Sequence, residues 1–216
     1  MVDDTQTFSN IFETYKLKIL EEITPREPNC DITLSFSENS EQEVLEKASK
    51  EKILFMLLLT PNGVLDMSVQ IENLVETSLN LGIIKTNDDN IIFNFALRSN
   101  KETALCALED KMCKFAIYNN CSFDISGRYS PWEFIDNSNL QKIYTETFYE
   151  VNGKKPNVIA VHAGLECAVF SSKIKDIDCI SIGPNMYDIH SFNERLSISS
   201  TENIFTILCN LLIKCK

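Results

Sequence analysis

Glycine and proline are scarce in this sequence, with 6 of each among 216 residues. This excludes collagen-like and Pro/Gly-rich disordered chains, and the 44% hydrophobic and 24% charged residues are typical of an ordinary globular protein. Long apolar runs are also lacking. The longest, such as residues 53–59, are far shorter than the ~20 residues that a membrane-spanning helix needs. We therefore expect a globular protein without a membrane partner.

Basic residues are outnumbered as well, since 20 Lys and Arg stand against 31 Asp and Glu, for a net charge of −11. Such a chain repels phosphate backbones, so we expect no nucleic-acid partner. The first residues are acidic and polar and do not resemble a secretory signal. The eight cysteines form no CxxC pair, which favours reduced thiols. These features predict a cytoplasmic protein.

The first of two predicted domains, residues 1–126, combines strand and helix patterns. Two apolar runs, residues 74–85 and 91–98, flank polar turn residues and predict a β-hairpin. The other elements predicted here are strands at 31–37 and 121–125 and helices at 41–59 and 101–118. Together they predict an α+β domain with an antiparallel sheet and helices.

The second predicted domain, residues 127–216, has a different pattern. Its short apolar, β-branched runs at 157–161 and 179–182 are typical of parallel strands covered by helices, which predicts the α/β class. Helices are predicted at 136–151, ending at Gly153, at 165–171, and from Thr201, where Ser199 and Glu202 have the spacing of a capping box.

Only two histidines occur, which narrows the search for a metal ligand or catalytic base. His162 directly follows the predicted strand 157–161, and open α/β sheets bind ligands at the carboxyl ends of their strands. A structural hydrogen bond to a neighbouring loop is an equal alternative. His190 lies in a loop after the second strand, where a neutral imidazole can bind zinc, although an ordinary surface histidine is the alternative.

Two polar residues stand near the ends of the hairpin strands, Asn80 in the first and Arg98 in the second. A guanidinium can bind a carboxylate through two parallel hydrogen bonds, which suits the free C-terminus of a dipeptide. The alternative role for Arg98 is a surface salt bridge.

An ordered series of motifs resembles the aminoacyl-histidine dipeptidases. Its downstream members are His162-Ala163-Gly164-Leu165-Glu166-Cys167, Ser181-Ile182-Gly183-Pro184, and His190-Ser191 with Glu194. Its upstream members are Pro61-Asn62-Gly63-Val64 with Met67-Ser68, the segment from Leu74 to Gly82, Arg98-Ser99, and the segment from Tyr129 to Trp132. The series covers about residues 59–216, and the preceding residues match weakly.

The resemblance implies a two-lobed zinc peptidase, with an α/β catalytic domain that holds two zinc ions and an inserted lid domain. Residues 1–126 would be an N-terminally incomplete lid, able to form a homodimer, and residues 127–216 the C-terminal segment of the catalytic domain. By this resemblance His190 is the last metal ligand. Asn80 and Arg98 would face the carboxylate of a dipeptide substrate.

The resemblance also implies that the corner around Gly164, with His162 and Glu166, lines the substrate pocket. Two departures from the family pattern are Ala168, where a glycine is usual, and Ser130-Pro131 in place of Pro-Gly.

The remaining zinc ligands and the general base of the family lie in an N-terminal segment, and the resemblance implies that this sequence begins after it. One imidazole cannot hold two metal ions. We therefore expect the C-terminal portion of a zinc dipeptidase for Xaa-His substrates, inactive alone and binding zinc incompletely. The alternative is a non-catalytic pseudoenzyme that acts as a dimerisation or binding module. An unrelated α+β binding protein would require the ordered motifs to be coincidental.

Overall fold

The computed structural model describes residues 4–36, 43–135, 137–162 and 165–215. Contacts divide the chain into two compact units, Met1–Glu51 and Lys52–Lys216. The domain boundary predicted at residue 127 lies inside the second unit and stays a prediction.

The first unit is built on helix α1 (Thr5–Ile23), whose N-cap is Asp4. The Asp4 carboxylate accepts a hydrogen bond from the backbone N of Thr7 at 2.9 Å, which satisfies an amide that the helix leaves unpaired. The predicted strand 31–37 is not formed in its described part, residues 31–36. There the ring of Phe36 packs edge-on against Phe8 of α1, so this apolar side chain contacts a helix.

Helix α2 (Lys47–Leu59) begins later than predicted, and residues 41–42 of the predicted helix lie outside the described ranges. It is followed by an antiparallel sheet of three strands, β1 (Gly63–Met67), β2 (Val75–Thr86) and β3 (Ile91–Ser99), in the order β1-β2-β3. The predicted hairpin is confirmed by β2 and β3. The turn between them is closed by the Asn87 N to Asn90 O hydrogen bond of 2.9 Å. Strand β1 was not predicted.

The core of this region lies between the sheet and helix α3 (Glu102–Tyr118), which confirms the prediction at 101–118. Leu79 of β2 is fully buried and clusters with Leu108 and Met112 of α3. Leu65, Phe95 and Leu97 complete the cluster. The prediction of an α+β arrangement with an antiparallel sheet is therefore confirmed.

Residues 121–125 form no strand, contrary to the sequence prediction. The segment that follows is held to α3 by side chains instead. The Arg128 guanidinium donates to the carboxylates of Glu102 and, at 2.8 Å, Glu109, and these hydrogen bonds raise the pKa of Arg128. Glu133 accepts a hydrogen bond from the backbone N of Glu102 at 3.2 Å, at the start of the helix.

The last part of the chain contains helices α4 (Asn139–Asn152), α5 (Glu166–Lys173) and α6 (Ile198–Lys214), and a small ladder of β4 (Met186–Tyr187) with β5 (Arg195–Leu196). All three helices were predicted. α6 starts earlier than predicted, because its N-cap is Ser197, which accepts from Ser200 N at 3.3 Å, and not Ser199. α4 packs on α6, where Thr147, Ile207 and Leu211 are buried.

The α/β prediction for residues 127–216 is not confirmed, because 157–161 and 179–182 form no strand. A parallel strand needs a neighbour on at least one side to pair its backbone groups, and within the described residues neither segment has one. Val158, Ile159 and Val161 are accordingly exposed at 54%, 69% and 43%.

Two further findings concern the cysteines and the apolar character of the helices. The eight cysteines are free thiols, as the absence of CxxC pairs predicts. Of the helices in the described ranges, none combines the length and the apolar character needed to cross a membrane.

Asp178 and Ser138 together cap α4. Burial acts to raise the pKa of Asp178, but hydrogen bonds from Leu140 N at 2.8 Å and Ser138 Oγ at 2.6 Å outweigh it, and the net shift is downward. At the other end, Gly153 adopts φ 67°, a left-handed conformation that glycine accepts at low cost.

We predict that Asp178→Ala lowers the free energy of unfolding by about 1 kcal/mol near neutral pH, because a helix-capping acceptor is lost. Since the folded-state pKa of Asp178 is depressed, its contribution is present above the unfolded-state value and disappears as the pH falls through the folded-state value. Urea denaturation of both proteins should therefore show their stabilities converging in acid. Asp124→Ala, in an exposed loop, is the control, and an equal loss in the control would contradict the capping role.

Candidate functional site

The candidate site lies on the face of the sheet opposite α3. Side chains alternate between the two faces of a strand, so Ser78 and Asn80 point away from the face on which Leu79 is buried. In the antiparallel register Arg98 of β3 stands directly opposite Ser78, and Ala96 opposite Asn80. The register therefore gathers a hydroxyl, an amide and a guanidinium on one face. Asn80 and Arg98 are exposed there.

His162 joins this face from a distant part of the chain. Its Nε2 lies 2.7 Å from Ser78 Oγ, although the two residues are 84 positions apart. The ring is partly buried, and its Nδ1 is buried without a hydrogen-bond partner among the described residues. The contact joins the hairpin to the segment around residue 162, and this brings together three of the predicted site residues: Asn80, Arg98 and His162.

The surroundings of His162 favour its uncharged form. Burial lowers the pKa of the imidazole, and the positive charge of Arg98 lowers it further. Arg98 stands opposite Ser78 in the sheet, and Ser78 is bonded to the ring. The site thus pairs a neutral imidazole with a permanent cation, which suits a ligand that carries a negative charge and hydrogen-bond acceptors.

The salt-bridge alternative for Arg98 is not found among the described residues, where the seven ion pairs involve other basic side chains. The guanidinium is exposed on its strand, opposite Ser78, and can still bind a carboxylate. The alternative of a structural hydrogen bond for His162 is found, since its ring does bond to Ser78.

Two further residues, Glu166 and Gly164, were predicted to line the pocket. Glu166 is exposed in the first turn of α5, and no hydrogen bond of the described residues joins its carboxylate to the sheet face. Gly164 lies outside the described residues, so its predicted role stays a prediction. Ser78 was missed by the sequence analysis. The signal available was its alternation with Leu79 inside the segment from Leu74 to Gly82.

His190, the predicted metal ligand, lies in the exposed loop between β4 and β5 and has a positive φ of 66°. Its backbone N donates to Glu194 Oε2 at 3.0 Å. Two further contacts stabilise the loop. Asp188 forms an ion pair with Arg195, and Ser191 Oγ donates a hydrogen bond to Asp188 O at 2.7 Å. Within the described ranges, no hydrogen bond or ion pair connects the loop to the sheet face.

The described residues do not fit a pair of zinc ions. Structural and catalytic zinc sites take three or four protein ligands from His, Cys, Asp and Glu. In the part of the chain that the structure describes, no group of three such residues lies close enough to hold a metal ion. Nearby carboxylates of Asp188 and Glu194 are already bonded within their own loop. His190 could supply one ligand to a site completed by other residues.

No protein-family model matches the chain. The chain is 29% identical over 213 residues to the cytosol non-specific dipeptidase of Escherichia coli (strain K12). The aligned region covers 97% of this chain and 43% of that protein. The crystal structure of aminoacylhistidine dipeptidase from Vibrio alginolyticus matches with a TM-score of 0.82 and 26% identity, covering 97% of this chain and 42% of that one.

The chain is thus homologous to dipeptidases and spans less than half the length of these two relatives. The resemblance predicted from the ordered motifs is confirmed. Its extent is larger than predicted, because the match includes the N-terminal residues in which the motifs were weak.

The depressed pKa of His162 predicts a pH dependence of stability. Above the ordinary histidine pKa the imidazole is neutral in both the folded and the unfolded chain. It then contributes nothing to the pH dependence of stability. As the pH falls through that value the unfolded chain takes up a proton that the folded chain still excludes, so the folded state is destabilised. His162→Gln removes this effect. Its unfolding free energy should decline less than that of the natural protein between neutral pH and about pH 5, measured by urea denaturation. Parallel declines would show that the imidazole is not desolvated.

Proposed function

We propose that this chain is the C-terminal portion of a zinc-dependent dipeptidase for Xaa-His substrates and that it supplies the surface that recognises the substrate. Support comes from the homology to dipeptidases along almost the whole chain. The observation that carries the proposal is the group formed by Arg98, Ser78 and His162 on the sheet face opposite α3. A guanidinium that has no ion pair among the described residues, together with a neutral imidazole, complements a terminal carboxylate.

Each residue of this face then has a distinct role. Arg98 binds the C-terminal carboxylate of the dipeptide through two parallel hydrogen bonds. Asn80, on the same face and two positions from Ser78, offers its amide to the carboxylate or the peptide group. His162 provides a further hydrogen bond from a neutral ring. For Gly164 and Glu166 we propose, from the family resemblance alone, a place in the lining of the substrate pocket of the complete enzyme.

The hydrolytic step is not assigned to residues of this chain. Among the described residues a zinc-binding group is not present, and His190 supplies at most one imidazole. We therefore infer that the chain is inactive alone and that two zinc ions bind only when the remaining ligands are supplied. A cytoplasmic location, as in the name of the Escherichia coli relative, and a homodimer through residues 1–126 belong to the same proposal. We propose no nucleic-acid or membrane partner.

One observation favours a second candidate function, a non-catalytic binding module. Apolar side chains are exposed in the unpaired segment 157–161 and on α5, where Val169 and Phe170 are 48% and 52% exposed. Exposed apolar side chains of this kind can contribute to protein contacts. A complete dipeptidase would cover this surface with its own chain, whereas a binding module would cover it with another protein.

The proposed function predicts how this chain behaves on its own. After exposure to excess zinc and removal of free metal, metal analysis should find fewer than two zinc ions per chain, because the ligands of a complete site are not supplied. The same protein should not hydrolyse Xaa-His dipeptides. Two tightly bound zinc ions, or hydrolysis that His190→Ala abolishes, would contradict the proposal.

The proposed function can also be tested with a chimera, in which this chain replaces the homologous portion of the Escherichia coli dipeptidase. The chimera should hydrolyse Xaa-His dipeptides. Arg98→Met should reduce kcat/KM by roughly 10- to 100-fold, because a hydrogen bond to a charged group contributes about 1.5–3 kcal/mol. Arg26→Met, in an exposed turn of the first unit, is the matched control. If both variants retain full activity, Arg98 does not bind the substrate.

A further inference from the structure

Two segments on either side of α5 have the form of strands without partners. Residues 155–161 and 177–185 contain no helix, turn or bend. Within the described residues, no hydrogen bond joins the backbone of 157–161 or 179–182 to another residue. Backbone N–H and C=O groups left open along a straight segment are a template for pairing with another strand. Each segment can therefore accept a strand that the described residues do not supply.

The side chains of 157–161 are those of an interior strand. Val158 and Ile159 are neighbours, so in a strand they point to opposite faces, and they are 54% and 69% exposed. Both are β-branched and suit a strand. A strand with one solvated face alternates apolar with polar residues, whereas apolar residues on both faces are typical of a parallel sheet covered on both sides. The segment is therefore suited to a sheet with a layer on each face.

The order of the elements supports the same arrangement. Parallel strands are joined by a crossover that usually contains a helix, and α5 lies between the two segments. Such a helix packs on a face of its sheet. Val169 and Phe170 of α5 are 48% and 52% exposed and would gain a surface to pack on. Because the two segments do not pair with each other, at least one further strand must come from elsewhere.

The source of that strand can be chosen from the geometry. In a symmetric dimer of this chain, a two-fold axis at 157–161 would pair the segment with its own equivalent along one edge only. An interior strand needs a neighbour on both edges and a layer on both faces. More than half of each of the two relatives lies outside the region that this chain matches, which is enough chain for several strands and helices.

We propose that residues 157–161 and 179–182 are strands that complete a parallel sheet with the portion of a dipeptidase that this chain does not match. The partner is thus a polypeptide that supplies strands and covers both faces of the sheet. The inference rests on the proposed function, because it takes the remainder of a dipeptidase as the partner. It adds the two segments through which the parts join.

Hydrogen exchange of backbone amides, followed by mass spectrometry, tests this pairing in the isolated full chain and in the chimera. In the isolated chain the amides of 157–161 and 179–182 should exchange as fast as those of an unstructured peptide. In the chimera they should slow by on the order of 100-fold or more, because strands inside a sheet open only at a large free-energy cost. Slow exchange in the isolated chain would overturn the proposal. If that protection increases with protein concentration, a second copy covers the segments instead.

A pair of matched variants separates the strand from an ordinary exposed position. Ile159→Lys and Val69→Lys both replace an exposed β-branched residue, and Val69 is 90% exposed in the loop between β1 and β2. In the isolated chain neither variant should change the midpoint of urea denaturation. In the chimera Ile159→Lys should lower the midpoint and restore fast exchange at 157–161, because it places a charge inside a covered sheet. Equal behaviour of the two variants in the chimera would refute the pairing.

The activity of the chimera distinguishes this inference from the proposed function. A chimera that protects both segments but does not hydrolyse Xaa-His dipeptides supports the strand pairing and contradicts the substrate proposal. An active chimera with fast exchange at both segments contradicts the strand pairing alone. A chimera that does not fold also counts against the pairing, since the supplied portion then fails to complete the sheet.

Discussion

The antiparallel register of β2 and β3 is the constraint on which the candidate site depends. It places Leu79 opposite Leu97 on the face covered by α3, and Ser78 opposite Arg98 on the other face. A slip of one residue would exchange the two faces, burying a guanidinium and exposing the core. The burial of Leu79 against α3 therefore also fixes the polar face to which His162 is bound.

Sequence patterns predicted the elements whose stability is local. The hairpin and the helices after it carry periodicity, turn residues or caps that act within a few positions, such as Ser138 and Gly153 around α4. The strands predicted at 121–125, 157–161 and 179–182 are not formed, because a strand depends on a partner that its own sequence does not reveal. The sequence pattern identified these three segments as apolar. It could not show that the described chain offers them no neighbouring strand.

The residues of the candidate site were likewise predicted only in part. Motif resemblance selected Asn80, Arg98 and His162, and the structure brings them to one region of the sheet. Ser78 escaped notice because its partner is 84 residues away, and nothing local distinguishes it from other strand serines. His190 lies in a separate exposed loop, and the described residues bring three predicted substrate-binding residues together but form no group that could hold a metal ion. On the proposed function, the chain carries the part of a dipeptidase site that contacts substrate, and it spans less than half the length of the two relatives.

The most direct test is whether this face recognises a carboxylate without the rest of an enzyme. Titration of the ¹⁵N-labelled chain with a Xaa-His dipeptide, followed by backbone and side-chain NMR, should shift the signals of Ser78, Asn80, Arg98 and His162. The C-terminal amide of the same dipeptide should shift them far less, because it lacks the charge that Arg98 binds. Equal shifts with both compounds, or shifts confined to other parts of the chain, would contradict the account.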